Sequence, residues 1–222
     1  MKSIILLSGG LDSAVSLVYA QQESTVELCL TMDYGQRAAA KEIGAAAALA
    51  AYYNLAHKVI ELPFFKQIAS GALVNREQVI PTPIEEELDD PVAAEESAAA
   101  VWVPNRNGLL INIAACFAEA LGCVLIVTGF NKEEARTFPD NSLPFVEKMN
   151  ETLAYSTRGH VRVISYTQRL DKVDIVRLGQ RLKIPWQFIW SCYYGGKTMC
   201  GRCESCRRFQ RAMKAANTSL KR

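Results

Sequence analysis

Short apolar runs alternate with stretches of helical periodicity along most of this 222-residue chain. The runs typical of buried strands are residues 4–7, 26–31, 58–62, 123–128 and 161–165. Helical spacing of apolar residues, or high helix propensity, marks residues 12–22, 38–53, 107–121, 145–156 and 172–182. Strands that are apolar on both faces and alternate with helices predict an α/β fold, a doubly wound parallel sheet with its site at the strands' carboxyl ends.

One stretch, residues 73–103, breaks this alternation. It holds prolines and, between Glu85 and Glu96, seven acidic residues and no basic one. We interpret it as a long excursion of loop with one short helix. Because the chain shows no internal repeat, we expect a single domain over residues 1–222, with residues 186–222 forming a small C-terminal metal-binding knuckle and a basic helix.

Composition and charge narrow the class of protein. Half of the residues are hydrophobic and 22% are charged, as in ordinary globular proteins. Residues 197–222 carry eight basic side chains against the single acid Glu204, which predicts either a solvated basic helix or a polyanion-binding surface. No segment approaches the roughly 18 apolar residues of a membrane span, and no signal peptide is evident. We expect a cytoplasmic protein without membrane or nucleic-acid partners.

A glycine turn follows the first predicted strand and leads directly into a helix. Glycines let a backbone approach an anion closely, and the helix N-terminus adds positive potential, so the turn predicts a phosphate site. A carboxylate facing phosphate requires a divalent cation between them, and we therefore assign Asp12 to magnesium. The alternative is a plain strand-to-helix turn with Asp12 as its N-cap. The residues assigned to the nucleotide here are Leu7, Ser8, Gly9, Gly10, Leu11, Asp12 and Ser13.

The loop differs from other phosphate motifs. No lysine follows the glycines, as it would in the loop of kinases and GTPases, and the Gly-x-Gly-x-x-Gly spacing of dinucleotide sites is missing. The string Ser-Gly-Gly-Leu-Asp-Ser instead resembles the Ser-Gly-Gly-x-Asp-Ser motif of ATP pyrophosphatases, which bind the pyrophosphate of ATP there and adenylate a substrate.

Four of the seven cysteines crowd near the C-terminus: Cys192, Cys200, Cys203 and Cys206. The last three are spaced Cys-x2-Cys-x2-Cys, which folds readily around one tetrahedral ion and predicts a structural zinc site. An iron–sulfur cluster accepts the same spacing and is the alternative.

Further strings make the resemblance specific, in matching order from residue 4 to about residue 210. They are Asp-Tyr-Gly-Gln-Arg at 33–37, Val-Pro-Asn-Arg-Asn at 103–107, Phe-Pro-Asp at 138–140, Ser-Cys-Tyr at 191–193 and the cysteine cluster. Together they resemble the family of 7-cyano-7-deazaguanine synthases. The resemblance implies an adenine nucleotide α-hydrolase-like fold and a ligase that converts 7-carboxy-7-deazaguanine to its nitrile with ammonia and magnesium-bound ATP. It also implies one zinc per chain and a homodimer.

The remaining site residues follow from this resemblance and from their places beside predicted strands. Lys172, at a helix start, matches a family lysine and is assigned to the phosphates together with Arg106. Tyr34, Gln36 and Arg37, after the second strand, are assigned to the nucleotide, and Glu134 and Asp140 to the acceptor. The alternatives are a helix-start ion pair for Arg106, a packed turn aromatic for Tyr34, and solvated loop residues for the acids.

Five positions depart from the family's usual strings: Ala38, Asn105, Thr137, Phe138 and Asn141. They lie in strings that we expect near the acceptor pocket. The alternative function is therefore a divergent ATP pyrophosphatase that acts on another carboxylate or modifies tRNA.

Overall fold

The computed structural model describes residues 1–217 and contains a five-stranded sheet in which every neighbouring pair is parallel. The spatial order of the strands is β3-β2-β1-β4-β5. The α/β fold and parallel sheet predicted from the apolar runs are confirmed. The strands are β1 Lys2–Leu6, β2 Thr25–Asp33, β3 His57–Glu61, β4 Leu125–Thr128 and β5 Arg162–Ser165.

Helices cover both faces of the sheet, so the doubly wound arrangement is also confirmed. One core contains residues of α1, α2, α7 and α8, among them Val15, Leu49, Ile175 and Phe209, and the other contains Ile111 of α5. The helices are α1 Leu11–Glu23, α2 Ala39–Tyr52, α3 Phe65–Ile68, α4 Pro91–Ala100, α5 Arg106–Ala120, α6 Leu143–Ser156, α7 Lys172–Arg181 and α8 Glu204–Ala215.

The strand order places a crevice at the carboxyl ends of β1 and β4. The chain leaves β1 toward β2 on one side, and β4 later pairs with β1 on the other side, so the connections diverge at this point. Gly129, directly after β4, packs on the start of α1, since an added Cβ would lie 2.7 Å from the backbone nitrogen of Ser13. The end of β4 and the predicted phosphate loop are therefore in direct contact.

The excursion contains the expected short helix, which is α4. Asp90 caps it by accepting a hydrogen bond of 2.8 Å from the backbone N–H of Ala93, and Pro91 occupies its first turn. The acidic run before it includes a 3₁₀ turn, Glu86–Leu88, that lies against the basic helix α8.

The predicted basic C-terminal stretch is described only in part, because residues 218–222 lie outside the described residues. Within residues 1–217, no helix combines the length and apolar character that a membrane crossing requires.

Candidate active site

A cavity of about 270 Å³ opens at the carboxyl ends of the strands. Most of the residues that the sequence nominated for nucleotide, acceptor or catalysis line it; Gly9 and Arg37 are not among the lining residues. The nominated residues that the structure brings together there are Leu7, Ser8, Gly10, Leu11, Asp12, Ser13, Tyr34, Gln36, Arg106, Glu134, Asp140 and Lys172.

The conformation of the loop after β1 is stabilised by hydrogen bonds of its own hydroxyl groups. Ser13 Oγ donates to the carbonyl of Gly10 at 3.1 Å and lies 3.1 Å from Ser8 Oγ. Gly9 has a φ of +77°, and an added Cβ would lie 2.6 Å from Ala45 Cβ, so only glycine fits there. The α1 N-terminus therefore faces the cavity, as anion capture requires.

Asp12 is not the N-cap of this helix. The cap position is Gly10, and no side chain caps the helix. The Asp12 carboxylate instead pairs with the ammonium of Lys172, whose Nζ also lies 2.7 Å from Glu134 Oε1. The simple turn with an Asp12 cap, our alternative for this string, is thus wrong.

Asp12, Lys172 and Glu134 form a triad whose protonation is set by burial and by the neighbouring charges. The Asp12 and Lys172 side chains are only 16% and 10% exposed. Burial raises the pKa of Asp12 to about 6, although Lys172 opposes the shift. Burial disfavours the charge of Lys172, but the two carboxylates outweigh it and raise the pKa of this lysine. Lys172 therefore stays protonated throughout the physiological range.

One oxygen of this triad is unpaired. Asp12 Oδ1 is buried and has no hydrogen-bond partner among the described residues. A buried carboxylate oxygen beside a phosphate-type loop suits a hard divalent cation, which prefers oxygen ligands. The residues present therefore fit a magnesium ion that accompanies a bound nucleotide.

The other end of the cavity is lined by aromatic side chains and carries the cation Arg106, with the acids Asp140 and Glu42 near it. Arg106 donates to the Tyr34 hydroxyl at 3.0 Å, and its guanidinium lies 5.5 Å from the centre of that ring. Burial opposes the charge of Arg106, but Tyr34 and Asp140 raise its pKa, so it remains a cation. Burial raises the pKa of Asp140, whose Oδ1 is buried and has no hydrogen-bond partner within residues 1–217. An unpaired buried acceptor at this position can bind a ligand's N–H groups.

Sequence reasoning missed two aromatic residues here. The rings of Trp102 and Phe138 lie nearly parallel, 9° apart, with centres separated by 6.3 Å, and both line the cavity. Phe138 entered the sequence analysis as part of the Phe-Pro-Asp string and as a departure from the family, and Trp102 as part of the excursion; neither was assigned a role in the site. Because Trp102 directly precedes the Val-Pro-Asn-Arg-Asn string at 103–107, its position beside that string was the available signal.

Arg37 has a different set of contacts from those expected. Its guanidinium donates to the backbone carbonyls of Asn75 at 2.8 Å and Gln78 at 2.5 Å, and it lies 5.9 Å from the centre of the Tyr194 ring. These contacts tie the start of the excursion to the loop after β2. Both hydrogen bonds come from Nη2, while Nε is buried and has no hydrogen-bond partner among the described residues.

The four clustered cysteines come together as the spacing predicted. Their Sγ atoms all lie within 4.8 Å of one another, and three of the four side chains are buried. Backbone N–H groups of Tyr194 and Cys200 donate to Cys192 Sγ, and that of Cys203 donates to Cys200 Sγ. Donors aimed at sulfur favour thiolates, so the cluster fits one metal ion with four thiolate ligands.

The metal knuckle also contacts the site. The backbone N–H of Trp190 donates to the Gly9 carbonyl at 2.9 Å, and Tyr193 lines the cavity. The segment that leads into the cysteine cluster therefore forms one wall of the candidate active site.

Comparison with known proteins agrees with this arrangement. A family model described as "Queuosine biosynthesis protein QueC" matches residues 2–217. The 7-cyano-7-deazaguanine synthase of Desulforudis audaxviator is 60% identical over 216 residues, which cover 97% of this chain and 98% of that protein. The enzyme of the same name from Pelotomaculum thermopropionicum is 60% identical over 220 residues, covering 99% and 100%. Among solved structures, the NMN synthetase of Francisella tularensis has a TM-score of 0.48 and 15% identity, covering 99% of this chain and 88% of that one. This chain belongs to the QueC family of queuosine biosynthesis proteins.

Proposed function

We propose that the chain is an ATP-dependent carbon–nitrogen ligase that converts 7-carboxy-7-deazaguanine and ammonia to 7-cyano-7-deazaguanine, with release of AMP and pyrophosphate. The observation that carries the proposal is one cavity with two unlike ends. A phosphate-type loop with the Asp12–Lys172 pair forms one end, and an aromatic wall with Arg106 and Asp140 forms the other. The name shared by relatives at 60% identity supplies the acceptor.

The reaction follows from the poor electrophilicity of a carboxylate. Its oxygen attacks the α-phosphorus of ATP and expels pyrophosphate, and ammonia then displaces AMP from the acyl adenylate to leave the amide. The amide oxygen attacks a second ATP in the same way, and loss of AMP and of both amide protons from the adenylated amide leaves the nitrile. Each step needs charge neutralisation at phosphate oxygens rather than a protein nucleophile.

The phosphate end of the cavity meets that need. Backbone N–H groups of the loop at 8–13 and the α1 N-terminus bind the phosphates, and the Lys172 ammonium offsets the charge that develops as pyrophosphate leaves. Asp12 would hold a magnesium ion, which would neutralise phosphate charge when ATP is bound. The ammonium of Lys172 is already held beside the loop by Asp12 and Glu134.

The aromatic end suits a guanine-like ring. Such a ring presents two adjacent donors, N1–H and the exocyclic amine, which the Asp140 carboxylate can accept as a charge-assisted pair. Trp102 and Phe138 offer flat apolar surfaces to the ring. Arg106, at this end, lines the same cavity and can bind a phosphate or the acceptor carboxylate.

The departure from the family's strings at residue 105 has a structural explanation, and this explanation does not require a different acceptor. Asn105 adopts a left-handed conformation with φ of 50° before α5. Glycine, usual in the family, suits this conformation, and asparagine tolerates it better than most other residues. The substitution therefore preserves the backbone that presents Arg106.

The tRNA-modifying alternative has less support than the charge count alone gave it. Arg208 and Arg211, two of the eight basic residues in 197–222, pair with Glu133, Glu204 and Asp89. Arginines that are held by carboxylates are poorly available to an RNA backbone.

The metal identity, assembly and location complete the proposal. We assign one structural zinc to Cys192, Cys200, Cys203 and Cys206, because four thiolates form a closed tetrahedral site. A thiolate cluster needs reduced cysteines, which supports the cytoplasm. The homodimer and ammonia as the nitrogen donor are carried over from the resemblance.

A substrate panel tests the proposal. Purified protein with ATP, magnesium and ammonium should form the nitrile from 7-carboxy-7-deazaguanine and release no AMP with 7-deazaguanine, which lacks the carboxylate. A different aromatic carboxylate or tRNA that stimulates AMP release while the deazaguanine acid does not would contradict it.

A further inference from the structure

A second buried ion network lies behind the candidate active site, outside the cavity. Its centre is Arg208 of α8, which is 8% exposed and uses every part of its guanidinium. Nη1 lies 2.7 Å from Glu133 Oε1, Nε lies 2.9 Å from Glu204 Oε1, and Nη2 donates to the Leu88 carbonyl at 2.8 Å. Glu204 in turn accepts from Ser97 Oγ of α4 at 2.5 Å. Arg208 thus joins α8, the excursion and the loop after β4.

This network reaches the cavity through two adjacent carboxylates. Glu133 Oε2 accepts from the backbone N–H of Lys172 at 3.2 Å, while Glu134 Oε1 lies 2.7 Å from the Nζ of the same lysine. The two neighbours therefore hold opposite ends of Lys172, one from outside the cavity and one from within it. Glu133 and Arg208 do not line the cavity, whereas Glu134 and Lys172 do.

The geometry points to Arg208 as a positioning residue for Lys172, acting through Glu133. A planar guanidinium holds Glu133, Glu204 and a carbonyl at once, which a lysine ammonium at the same place cannot do. Arg211 Nη2 also lies 3.1 Å from Glu133 Oε1, but its side chain is 25% exposed, so Arg208 is the shorter and more buried of the two contacts. When Arg208 no longer fixes Glu133, the first residue of α7 loses its positioned acceptor, and the ammonium shifts relative to the phosphates. This inference rests on the proposed function for the role of Lys172, and it adds a residue about which the sequence motifs said nothing.

The test uses Arg208→Lys, which keeps the charge, and Glu133→Gln, which keeps an acceptor for the Lys172 N–H but weakens the hold of Arg208. Arg202→Lys is the matched control, because Arg202 is an exposed arginine of the same knuckle. The affinity for magnesium-bound ATP is measured by calorimetry, and the rate of pyrophosphate release is measured with the acceptor present. Melting temperature and metal content are recorded for each full-length variant.

We expect Arg208→Lys and Glu133→Gln to raise the Kd for magnesium-bound ATP about tenfold and to lower kcat roughly tenfold to a hundredfold, the scale of a misplaced catalytic group. Metal content should stay unchanged and Arg202→Lys should behave as wild type. In a Lys172→Met background, Arg208→Lys should cause no further loss, because it acts through that lysine. If Arg208→Lys does not fold, Glu133→Gln carries the same comparison.

Either of two results would overturn the inference. The first is that the effects of Arg208→Lys and Lys172→Met add fully in the double variant. The second is that Arg208→Lys and Glu133→Gln both bind ATP with wild-type affinity. The ATP affinity needs no acceptor. If the wild-type protein binds ATP but makes no nitrile, the proposed function is refuted. The effect of Arg208→Lys and Glu133→Gln on ATP affinity can still be measured in that case.

Discussion

Replacing Asp12 with asparagine should increase the stability of the fold and decrease the catalytic activity. The side chain keeps its size but loses a buried negative charge. Burial raises the pKa of Asp12 from its ordinary value of 3.8 to about 6, even with Lys172 beside it. A shift of that size costs the ionised folded chain about 3 kcal/mol relative to the unfolded chain above pH 6. A neutral amide avoids this cost.

The expected result is a gain in the free energy of unfolding of about 1 to 3 kcal/mol at pH 7.5 for Asp12→Asn without ATP or magnesium. A carboxyl group whose folded pKa is raised destabilises the fold as the pH rises from the unfolded pKa toward the folded one. The gain should therefore shrink by roughly half at pH 5, midway between the two values. Urea unfolding at both pH values measures it, since the midpoint and slope give the free energy.

The same variant should lose most AMP release, because a magnesium ligand is removed. Asp174→Asn is the matched control: that carboxylate is 47% exposed on α7, and its loss should change stability by less than about 0.5 kcal/mol. A clear loss of stability in Asp12→Asn would mean that its ion pair with Lys172 outweighs the burial cost. Unchanged turnover would refute the magnesium assignment.

Three other changes probe other parts of the account. Elemental analysis should find about one zinc per chain. The double variant Cys203→Ser, Cys206→Ser should lose the zinc and, with it, thermal stability. Iron in the wild-type protein, or metal retained in the double variant, would contradict the assignment. Asp140→Ala should lower kcat/KM for the acceptor roughly tenfold to a hundredfold and leave ATP affinity nearly unchanged, and equal damage to both would place Asp140 elsewhere. Arg37→Gln should speed hydrogen exchange across residues 71–78 and have a smaller effect on ATP affinity, because the Arg37 guanidinium holds the carbonyls of Asn75 and Gln78. A large loss of ATP affinity with unchanged hydrogen exchange would instead indicate that Arg37 contacts the nucleotide.

Periodicity located the sheet because buried parallel strands are apolar on both faces. The run at 26–31 and the helix at 38–53 fall within a few residues of β2 and α2. The short helix in the excursion was expected without bounds, although Asp90 followed by Pro91 is a helix-start signal that fixes one of them. The single-turn helix α3 was not predicted, since four residues are too few to show a period.

The site was predictable where backbone conformation or ligand chemistry demands a residue type. Glycines in the phosphate loop and cysteines at metal-binding spacing are of this kind. The pairing of Arg208 with Glu133 was not predictable, because the two are 75 residues apart and nothing local requires either partner. The assignment of Arg37 to the nucleotide stays a prediction. Its hydrogen-bond partners in the structure are backbone carbonyls, and a sequence does not show which carbonyls a fold leaves without a donor.

An isotope experiment tests adenylation most directly. When both carboxylate oxygens of 7-carboxy-7-deazaguanine carry ¹⁸O, each activation transfers one of them to the α-phosphorus of ATP. Mass spectrometry should find two AMP molecules per nitrile, each with one ¹⁸O, and no label in pyrophosphate. Label in inorganic phosphate together with ADP, or unlabelled AMP beside the nitrile, would contradict the account.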